Sequence, residues 1–288
     1  MGEEMDKDAQ ELIVEAGREV AKDVYKDGLQ PSVKRAGDFL GTVFGVFDAL
    51  VMPIKKWILK CDYSVKEFEK SLQQKYNDVP EDNRKEPDMS ILGNSLEALR
   101  YNIDKDELRE LFENIIISSM DSRTSAQCHP SYVDVIKQLS VNDAIILRSI
   151  KDKKGYQPLL QPKYRLRIQN AKDSGIMVDS SPHPDFPDYY IGACVQNLDL
   201  SSISKSLHNL HRLGLIKINT ISNIHYTVKM PDMKNATPYD SLKKDDNDIR
   251  SYCIEKLGHF SQVADIEYNE GSYKVSEFGE DFISTCVR

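Results

Sequence analysis

The chain has 288 residues and a net charge of −8, and its 40% hydrophobic and 29% charged residues are typical of a globular protein. This length predicts two domains, or one core with an elaborated second part. The negative charge argues against binding of nucleic acid or an anionic membrane over the whole surface, but it permits a local basic patch. The five cysteines are far apart, without a Cys-x-x-Cys pair, which indicates a reducing compartment.

The most hydrophobic run of the chain lies at 39–54. Gly37, Gly41 and Gly45 recur every four residues around its start. On a helix these three residues form one bare line, here called the glycine ridge, which lets another helix approach closely. The run therefore predicts a helix that packs tightly against a neighbour, in a protein core or in a membrane.

The length of this run and its Asp48 argue against a permanent membrane span. As a helix, residues 39–54 measure about 24 Å at about 1.5 Å per residue, whereas a bilayer core is about 30 Å thick. Asp48 costs about 2.5–3.5 kcal/mol near the bilayer centre, and Pro53 kinks or ends the helix. Trp57 follows two lysines, a cluster found at membrane interfaces and on ordinary helix ends. Two interpretations remain: a buried helix packed through the glycine ridge, or a sheltered segment that enters the membrane on activation.

Apolar residues at helical spacing predict a series of helices up to residue 150. One ends near Tyr76, and after a polar loop at 77–90 a short helix follows at 91–101. Asp104 is predicted to cap the next helix, with Glu107 in the capping-box position. The wide apolar face of that helix indicates a central core position, with these residues buried: Leu108, Leu111, Phe112, Ile115, Ile116 and Met120.

Two further helices are predicted before the composition changes. One starts at His129-Pro130-Ser131, and the other is capped by Ser140 and Asp143. The inward positions predicted for them are Tyr132, Val133, Val135, Ile136 and Leu139 in the first, and Ala144, Ile145, Leu147 and Ile150 in the second.

The second half of the chain predicts a mixture of helix and strand. Residues 155–200 are rich in proline, serine and tyrosine, and only Tyr164–Ile168 and Tyr189–Val195 are strand-like. A helix at 201–213 ends at the C-cap glycine Gly214 and leads into a strand.

Further strands and a final helix are predicted towards the end of the chain. The alternating run Ile224–Met230 is expected to pair with the strand after Gly214. Asn269-Glu270-Gly271 predicts a hairpin turn within 265–275. Phe278, Phe282 and Ile283 lie on the last predicted helix.

The order of these C-terminal elements resembles a winged-helix domain. The resemblance depends on a helix that ends in Leu-x-x-Leu-Gly-Leu-Ile at 210–216 and a closing Tyr-x-Val-Ser-x-Phe-Gly at 273–279. It implies that the helix at 201–213 occupies the recognition position. Long insertions at 155–200 and 231–262 depart from the usual pattern of that superfamily and weaken the case for a standard DNA-docking surface.

The whole chain also resembles the bacterial abortive infection alpha family. The matching stretches are Gly37–Pro53 with the following Lys-Lys-Trp, Ile-Leu-Gly-Asn-Ser-Leu-Glu-Ala-Leu-Arg-Tyr at 91–101, Glu-Leu-Arg-Glu-Leu-Phe-Glu-Asn at 107–114, and 118–133. The resemblance implies a role in defence against bacteriophage. It supplies no catalytic residues that are transferable to this chain.

Few residue clusters in the sequence are candidates for a metal site or a catalytic site. His208 and His211 lie three apart on one predicted helix, but a zinc site needs two more ligands and none has suitable spacing. Cys128 and His129 are adjacent, so their side chains diverge, which argues against a catalytic dyad. Asp121 and Arg123 with His129 form a polar loop that is either a hydrogen-bond network or a cryptic nuclease or ligand site.

Residues 200–230 contain no acid and form a local basic surface in an acidic chain. Because this surface coincides with the winged-helix order, it indicates contact with nucleic acid or with a protein partner. Because the basic residues are few, they contact few phosphates, which limits the affinity for nucleic acid. The candidate contact residues are Lys205, His208, His211, Arg212 and Lys217.

These observations predict a mainly α protein, with a helical domain at 1–139 and a winged-helix-like α+β domain at 140–288. We expect a non-enzymatic phage-defence effector or sensor without a cofactor or metal, with membrane action through 37–57 as one hypothesis. A DNA-binding regulator that uses the helix at 201–213 is the alternative. The acidic N-terminus has no signal pattern, so a cytoplasmic location is expected, with membrane association on activation. The oligomeric state is left open.

Overall fold

The structure is a computed structural model that describes residues 40–41, 43–45, 61–168, 176–179, 188–189, 191, 198–220 and 261–287. The chain divides into two compact units. The first consists of Met1–Gln138 with Phe282–Arg288, and the second is Leu139–Asp281. The fold is mainly α with a C-terminal α+β part, as predicted from the sequence. The domain limits 1–139 and 140–288 stay a prediction.

The described helices of the first unit surround one central helix. They are α1 (Cys61–Asn77), α2 (Met89–Leu99), α3 (Asp106–Ser119) and α4 (Ser131–Lys137). α3 contacts the other three, and the apolar residues predicted for its core face are buried. The prediction of a central core helix is confirmed. The apolar stripe of α1 is buried as well, with Val65, Phe68, Leu72 and Tyr76.

The starts of α2 and α3 differ in how they are capped. Asp88 caps α2, where its carboxylate accepts hydrogen bonds from the backbone N–H and hydroxyl of Ser90 at 2.8 and 2.6 Å. The capping box predicted at Asp104 is wrong, because α3 begins at Asp106 and its N-cap is Lys105. The N–H of Lys105 donates to the carbonyl of Asn102 at 3.1 Å, and this turn leaves Asp104 before the helix.

A buried carboxylate lies on the central helix. Glu113 is only 2% exposed. Its Oε2 accepts hydrogen bonds from Ser71 Oγ at 2.6 Å and from Lys75 Nζ at 2.7 Å, both on α1. Arg109, one turn earlier on α3, lies 3.5 Å from Oε1. These contacts join α1 and α3 around a charge that apolar packing alone does not tolerate.

Two further polar residues of α3 hold the end of the chain. Asn114 Nδ2 donates to the carbonyl of Cys286 at 2.9 Å, and Ser118 Oγ donates to the carbonyl of Thr285 at 3.0 Å. The last carbonyls of a helix lack partners within the helix. The side chains of α3 supply those partners for the C-terminal turn.

The second unit combines helices with an antiparallel sheet. In chain order its elements are α5 (Val141–Ile150), β1 (Gln157–Ile168), β2 (Ile176–Asp179), α6 (Leu200–Arg212), β3 (Ile216–Asn219), β4 (Ser261–Val275) and the start of α7 (Glu277–Cys286). The described strands follow the order β2-β1-β4-β3, and all neighbours are antiparallel. The winged-helix assignment stays a prediction.

The capping box predicted at Ser140 is confirmed. Ser140 Oγ accepts from the N–H of Asp143 at 3.2 Å, and Asp143 Oδ2 accepts from the N–H of Ser140 at 2.7 Å. One inward position of α5 is wrong, because Ile146 is buried whereas Ile145 is only half-buried. When a helix buries a wide face, adjacent residues lie on or near that face, so helical spacing alone does not tell which of them is more buried.

β1 is longer than the predicted strand Tyr164–Ile168. It contains Pro158 and Pro162, and only Arg165–Ile168 pairs with β2. Among the described strands, the proline-bearing half of β1 therefore pairs with β4 alone. On its other edge, the N–H that proline lacks removes no hydrogen bond to a described strand. Tyr189 and Ile191 are not in a strand. The other residues of 190–195, and the predicted strand at 224–230, lie outside the described residues.

The hairpin turn predicted at Asn269-Glu270-Gly271 is wrong. These residues lie inside the continuous strand β4, which pairs with β1 on one side and with β3 on the other. A Cβ built on Gly271 meets the carbonyl oxygen of Asn219 at 2.7 Å. The glycine thus permits a close backbone approach within the sheet, which is a second use of glycine in strands.

The backbone approaches closely at Gly279 in the second unit as well. A Cβ built there lies 2.0 Å from the carbonyl oxygen of Leu215 and 3.0 Å from Val275 Cγ1. Ser276 fixes the same corner, because its Oγ accepts from the N–H of Gly279 at 2.9 Å and donates to the carbonyl of Gly214. The start of α7 is thereby set against the residues before β3.

We expect Gly279→Ala to destabilise the protein by about 1–3 kcal/mol, because the added methyl group overlaps the backbone of Leu215. The measurement is urea unfolding of the full chain, followed by circular dichroism. Gly93→Ala in α2 is the matched control, since a Cβ there meets nothing within 4 Å. That change is expected to raise stability by about 0.5–1 kcal/mol. Equal effects of both substitutions would contradict the close approach.

Candidate partner-binding surface

α6 begins and ends at residues that its sequence pattern indicates. Asp199 is its N-cap and accepts from Ser202 N–H at 2.9 Å and from Ser202 Oγ at 2.7 Å. These hydrogen bonds hold the pKa of the Asp199 carboxyl below its usual range. Gly214, at φ +76°, follows the helix and turns the chain into β3. The buried face carries Ile203, Leu207 and Leu210, as predicted. The exposed face carries Lys205, His208, His211 and Arg212.

His208 already has an acidic partner. Its Nε2 lies 2.8 Å from Oδ2 of Asp188, and its ring is 4.6 Å from the ring of Tyr189. Burial, with a smaller contribution from Asp188, raises the pKa of Tyr189. Because the acid comes from the segment before α6, the acid-free sequence of 200–230 did not reveal it. His208 is therefore a weaker candidate for an external anion than the sequence indicated.

Arg212 is oriented by a chain of hydrogen bonds. Its Nε and Nη2 donate to Oδ1 of Asn209 at 3.1 and 2.7 Å. Asn209 Nδ2 in turn donates to Oδ2 of Asp143, in the capping box of α5, at 2.8 Å. The guanidinium of Arg212 is exposed, but its direction is tied to the packing of α6 on α5.

Two lysines face each other across the sheet next to α6. Lys217 of β3 is directly opposite Lys274 of β4. The ammonium of Lys274 lies 5.0 Å from the ring centroid of Tyr156, the residue that precedes β1. Tyr156, Lys274 and Lys217 together are called the lysine row. Within the described parts of the chain, neither ammonium group has a hydrogen-bond or ion-pair partner.

His211 borders the lysine row. Its Nδ1 lies 3.1 Å from the carbonyl oxygen of Ile216, so this nitrogen donates its proton and the imidazole stands at the start of β3. The next acid on the same face of β4 is Glu270, four residues from Lys274 or about 13 Å along the strand. This separation exceeds the screening length of about 8 Å at physiological salt, so the acid neutralises the row only weakly.

The sequence predicted part of this surface and missed the rest. Lys205, His211 and Lys217 are exposed and lie on α6 or at its border with β3. Lys274 and Tyr156 were not predicted, because they join the surface only through strand register, which the sequence pattern does not encode across a long connection. The like charges of Lys217 and Lys274 become visible only when β3 and β4 are paired.

The polar loop after α3 is held by local hydrogen bonds. The buried carboxylate of Asp121 accepts from the guanidinium of Arg123 at 2.6–3.1 Å, and this contact raises the pKa of Arg123. His129 Nδ1 instead contacts Ser131 Oγ at 2.7 Å, and Cys128 Sγ lies 3.7 Å from the carbonyl of Thr124. The structure thus gives Asp121 and His129 different partners, an arrangement that fixes the loop.

The glycine ridge is described only in part. Leu40 and Val43 are buried, whereas Gly41 and Gly45 on the same helical stretch are exposed. A Cβ built on either glycine meets nothing within 4 Å. Gly37, Asp48, Pro53 and Trp57 lie outside the described residues. Tight packing through this ridge stays a prediction.

The described residues offer neither a metal-binding group of side chains nor a membrane-spanning helix. In that part of the chain, no three side chains of His, Cys, Asp or Glu are grouped so that they hold a metal ion. Nor does any described helix combine the length and the apolar character that a membrane crossing requires.

The comparisons with known proteins identify one family model. That model, abortive infection alpha, matches residues 60–286. The match includes the stretches 91–101, 107–114 and 118–133, which carry the resemblance in the sequence, whereas the glycine ridge precedes it. No curated protein and no solved structure matches the chain.

We expect Asp199→Ala to lower stability by about 1 kcal/mol at neutral pH, because α6 loses its cap. Asp199→Ser keeps a capping oxygen and is the control, with a loss of a few tenths of a kcal/mol. Since the folded pKa of Asp199 is depressed, the carboxylate contribution is present above the unfolded pKa of about 3.9 and is lost as pH falls through the folded pKa. Urea unfolding at pH 7 and pH 3 checks both points, and a pH-independent difference would contradict the assignment.

Proposed function

The chain belongs to the abortive infection alpha family, and we propose that it is a non-enzymatic phage-defence protein whose second unit binds an anionic partner through the lysine row. Membership of this family implies abortive infection, in which a cell infected by phage stops growing or dies before the phage spreads. The proposal assigns the second unit to recognition of the partner, and it assigns no chemical reaction to the chain.

The observation that carries this proposal is the pairing of Lys217 with Lys274. Like charges directly opposite each other on a sheet are destabilising, and each such pair changes stability by roughly 0.2–1 kcal/mol. An anionic group between the two ammonium ions turns this repulsion into attraction. Tyr156 adds an exposed aromatic ring beside Lys274, and tyrosine is a frequent anchor of protein interfaces.

An acidic protein surface is the partner that these features favour. Two lysines with His211 contact only a few phosphates, which is little for a duplex DNA site. A few carboxylates on a protein are matched by the same groups.

DNA binding through α6 is the second candidate, and the exposure of Lys205 and Arg212 on its outer face favours it. The carboxylate of Asp188 beside His208 lowers the positive potential that α6 offers to phosphates, and Oδ1 of Asn209 occupies two N–H donors of Arg212. DNA docking is therefore the weaker of the two proposals.

Lys217→Glu tests the recognition role. The change creates an opposite-charge pair with Lys274, so we expect stability to rise by about 0.2–1 kcal/mol while protection against phage is lost. Lys66→Glu, at an exposed position of α1, is the matched charge control and is expected to keep protection. The measurements are urea unfolding of the purified chain and phage plating efficiency on cells that carry each gene.

A DNA-binding measurement separates the two partner classes. If DNA is the partner, the protein binds duplex DNA at low salt, and Lys205→Glu with Arg212→Glu weakens that binding. If the partner is an acidic protein surface, the purified chain leaves DNA unbound at low salt. Full protection by a folded Lys217→Glu protein would overturn the role of the lysine row under either partner.

For the effector step, we propose action on the membrane through 37–57. Among the described residues of this stretch, Gly41 and Gly45 are exposed whereas Leu40 and Val43 are buried, so the two glycines share an exposed face that suits contact with a further helix or an apolar partner. An open face of small residues suits close association of helices in a bilayer.

Val46→Asp is expected to abolish toxicity and membrane depolarisation in phage-infected cells, because a carboxylate in a bilayer costs about 2.5–3.5 kcal/mol. Val46→Leu is the size control and keeps both effects. Depolarisation is followed with a voltage-sensitive dye after infection. Death of infected wild-type cells without depolarisation would exclude membrane action while leaving the defence role intact.

A further inference from the structure

One buried guanidinium of the first unit has no acidic partner among the described residues. Arg100 follows α2 as its C-cap residue and is only 6% exposed. Its Nη2 donates to the hydroxyl of Tyr101, and the guanidinium carbon lies 4.5 Å from the centre of the Tyr101 ring. Its Nε has no hydrogen-bond partner, and no ion pair is formed by Arg100 among the described residues. A buried charge left in this condition is costly, so the arrangement calls for a missing anion.

The acids nearest in sequence do not neutralise Arg100. Glu97 is three residues before it and Asp104 four residues after it, and both are exposed. Neither carboxylate forms an ion pair with Arg100 in the described structure. The chain thus offers two acids close by in sequence and leaves the guanidinium without either of them.

A second arginine of the same unit has the contacts that Arg100 lacks. Arg84 also lies over a tyrosine ring, that of Tyr76, at 4.8 Å. Its Nε donates to the carbonyl of Val79 at 2.9 Å, and Nη1 lies 3.9 Å from the carboxylate of Glu81. Both arginines stack on a tyrosine ring. The Nε of Arg84 has a hydrogen-bond acceptor, whereas the Nε of Arg100 has none among the described residues.

We propose that Arg100 binds the phosphate group of a small phosphorylated ligand and that Tyr101 covers this site when it is empty. The planar guanidinium fork matches two oxygens of a phosphate, and the charge of the phosphate neutralises the buried cation. Tyr101 is 59% exposed, so its ring moves aside on the fast timescale of surface side chains. The phosphate oxygens then accept hydrogen bonds from Nε, which has no partner without ligand, and from Nη2, which otherwise donates to the hydroxyl of Tyr101.

The exposed ring also extends the range of ligands. Once it has moved from the guanidinium, the Tyr101 ring is available to stack on a nucleobase, as aromatic side chains do in nucleotide sites. The candidate ligands, inorganic phosphate and a nucleotide, have the phosphate group in common. Arg100 and Tyr101 end the stretch 91–101 that carries the family resemblance, and neither residue belongs to the surface proposed to bind the partner.

Isothermal titration of the full chain with inorganic phosphate and with AMP tests the site. We expect binding of phosphate by the unmodified protein, and tighter binding of AMP if the ring stacks on the base. Arg100→Met and Arg100→Lys, which both lose the fork, are expected to weaken binding by about tenfold to a hundredfold. Tyr101→Phe removes the competing hydroxyl and keeps or tightens binding. Arg84→Met is the matched control and leaves binding unchanged.

Thermal unfolding of the same variants distinguishes a ligand site from a structural arginine. Without phosphate, Arg100→Met is expected to melt at the same temperature as the unmodified protein or higher, whereas Arg84→Met melts lower. Phosphate is expected to raise the melting temperature of the unmodified protein but not of Arg100→Met. The proposal is overturned if neither probe binds at millimolar concentration. It is also overturned if sodium chloride of equal ionic strength gives the same shift, or if Arg100→Met is destabilised as much as Arg84→Met.

Discussion

The carboxylate of Glu113 is the constraint on which the packing of the first unit depends. An ion taken out of water costs several kcal/mol unless it is paired and hydrogen-bonded. Ser71 and Lys75 of α1, with Arg109 of α3, meet that requirement. Because all three must reach one buried carboxylate, α1 has few positions along α3 that keep the charge paired. Apolar stripes bring these two helices together, and the polar contacts select their register.

The same helix also positions the last turn of α7. Lys75 bridges Glu113 to the amide oxygen of Asn114 at 2.8 Å, and the amide nitrogen of Asn114 reaches the carbonyl of Cys286. The buried ion pair and the capping of the C-terminal turn are therefore one continuous network. Loss of the Lys75 ammonium would therefore disturb the contacts of α3 with both α1 and α7, although these helices are far apart in sequence.

The sequence predicted those features of the fold that local rules determine. The capping box at Ser140 and the C-cap at Gly214 depend on a few neighbouring residues, and both are present. The turn at Gly271 failed because a glycine permits either a turn or a close approach of strands, and only the paired strands decide between them. The lysine row and the acid beside His208 were likewise beyond a sequence pattern, since both depend on residues brought together by tertiary pairing.

The two cationic features differ in the kind of partner that each accommodates. The lysine row is exposed on a sheet, where water screens its repulsion and where a large acidic surface has access. Arg100 is buried beneath one tyrosine ring, so only a small group replaces the hydroxyl of that ring. In a chain of net charge −8, both features leave cations without an acidic partner among the described residues. The two anions that we propose, one macromolecular and one small, would account for this charge pattern.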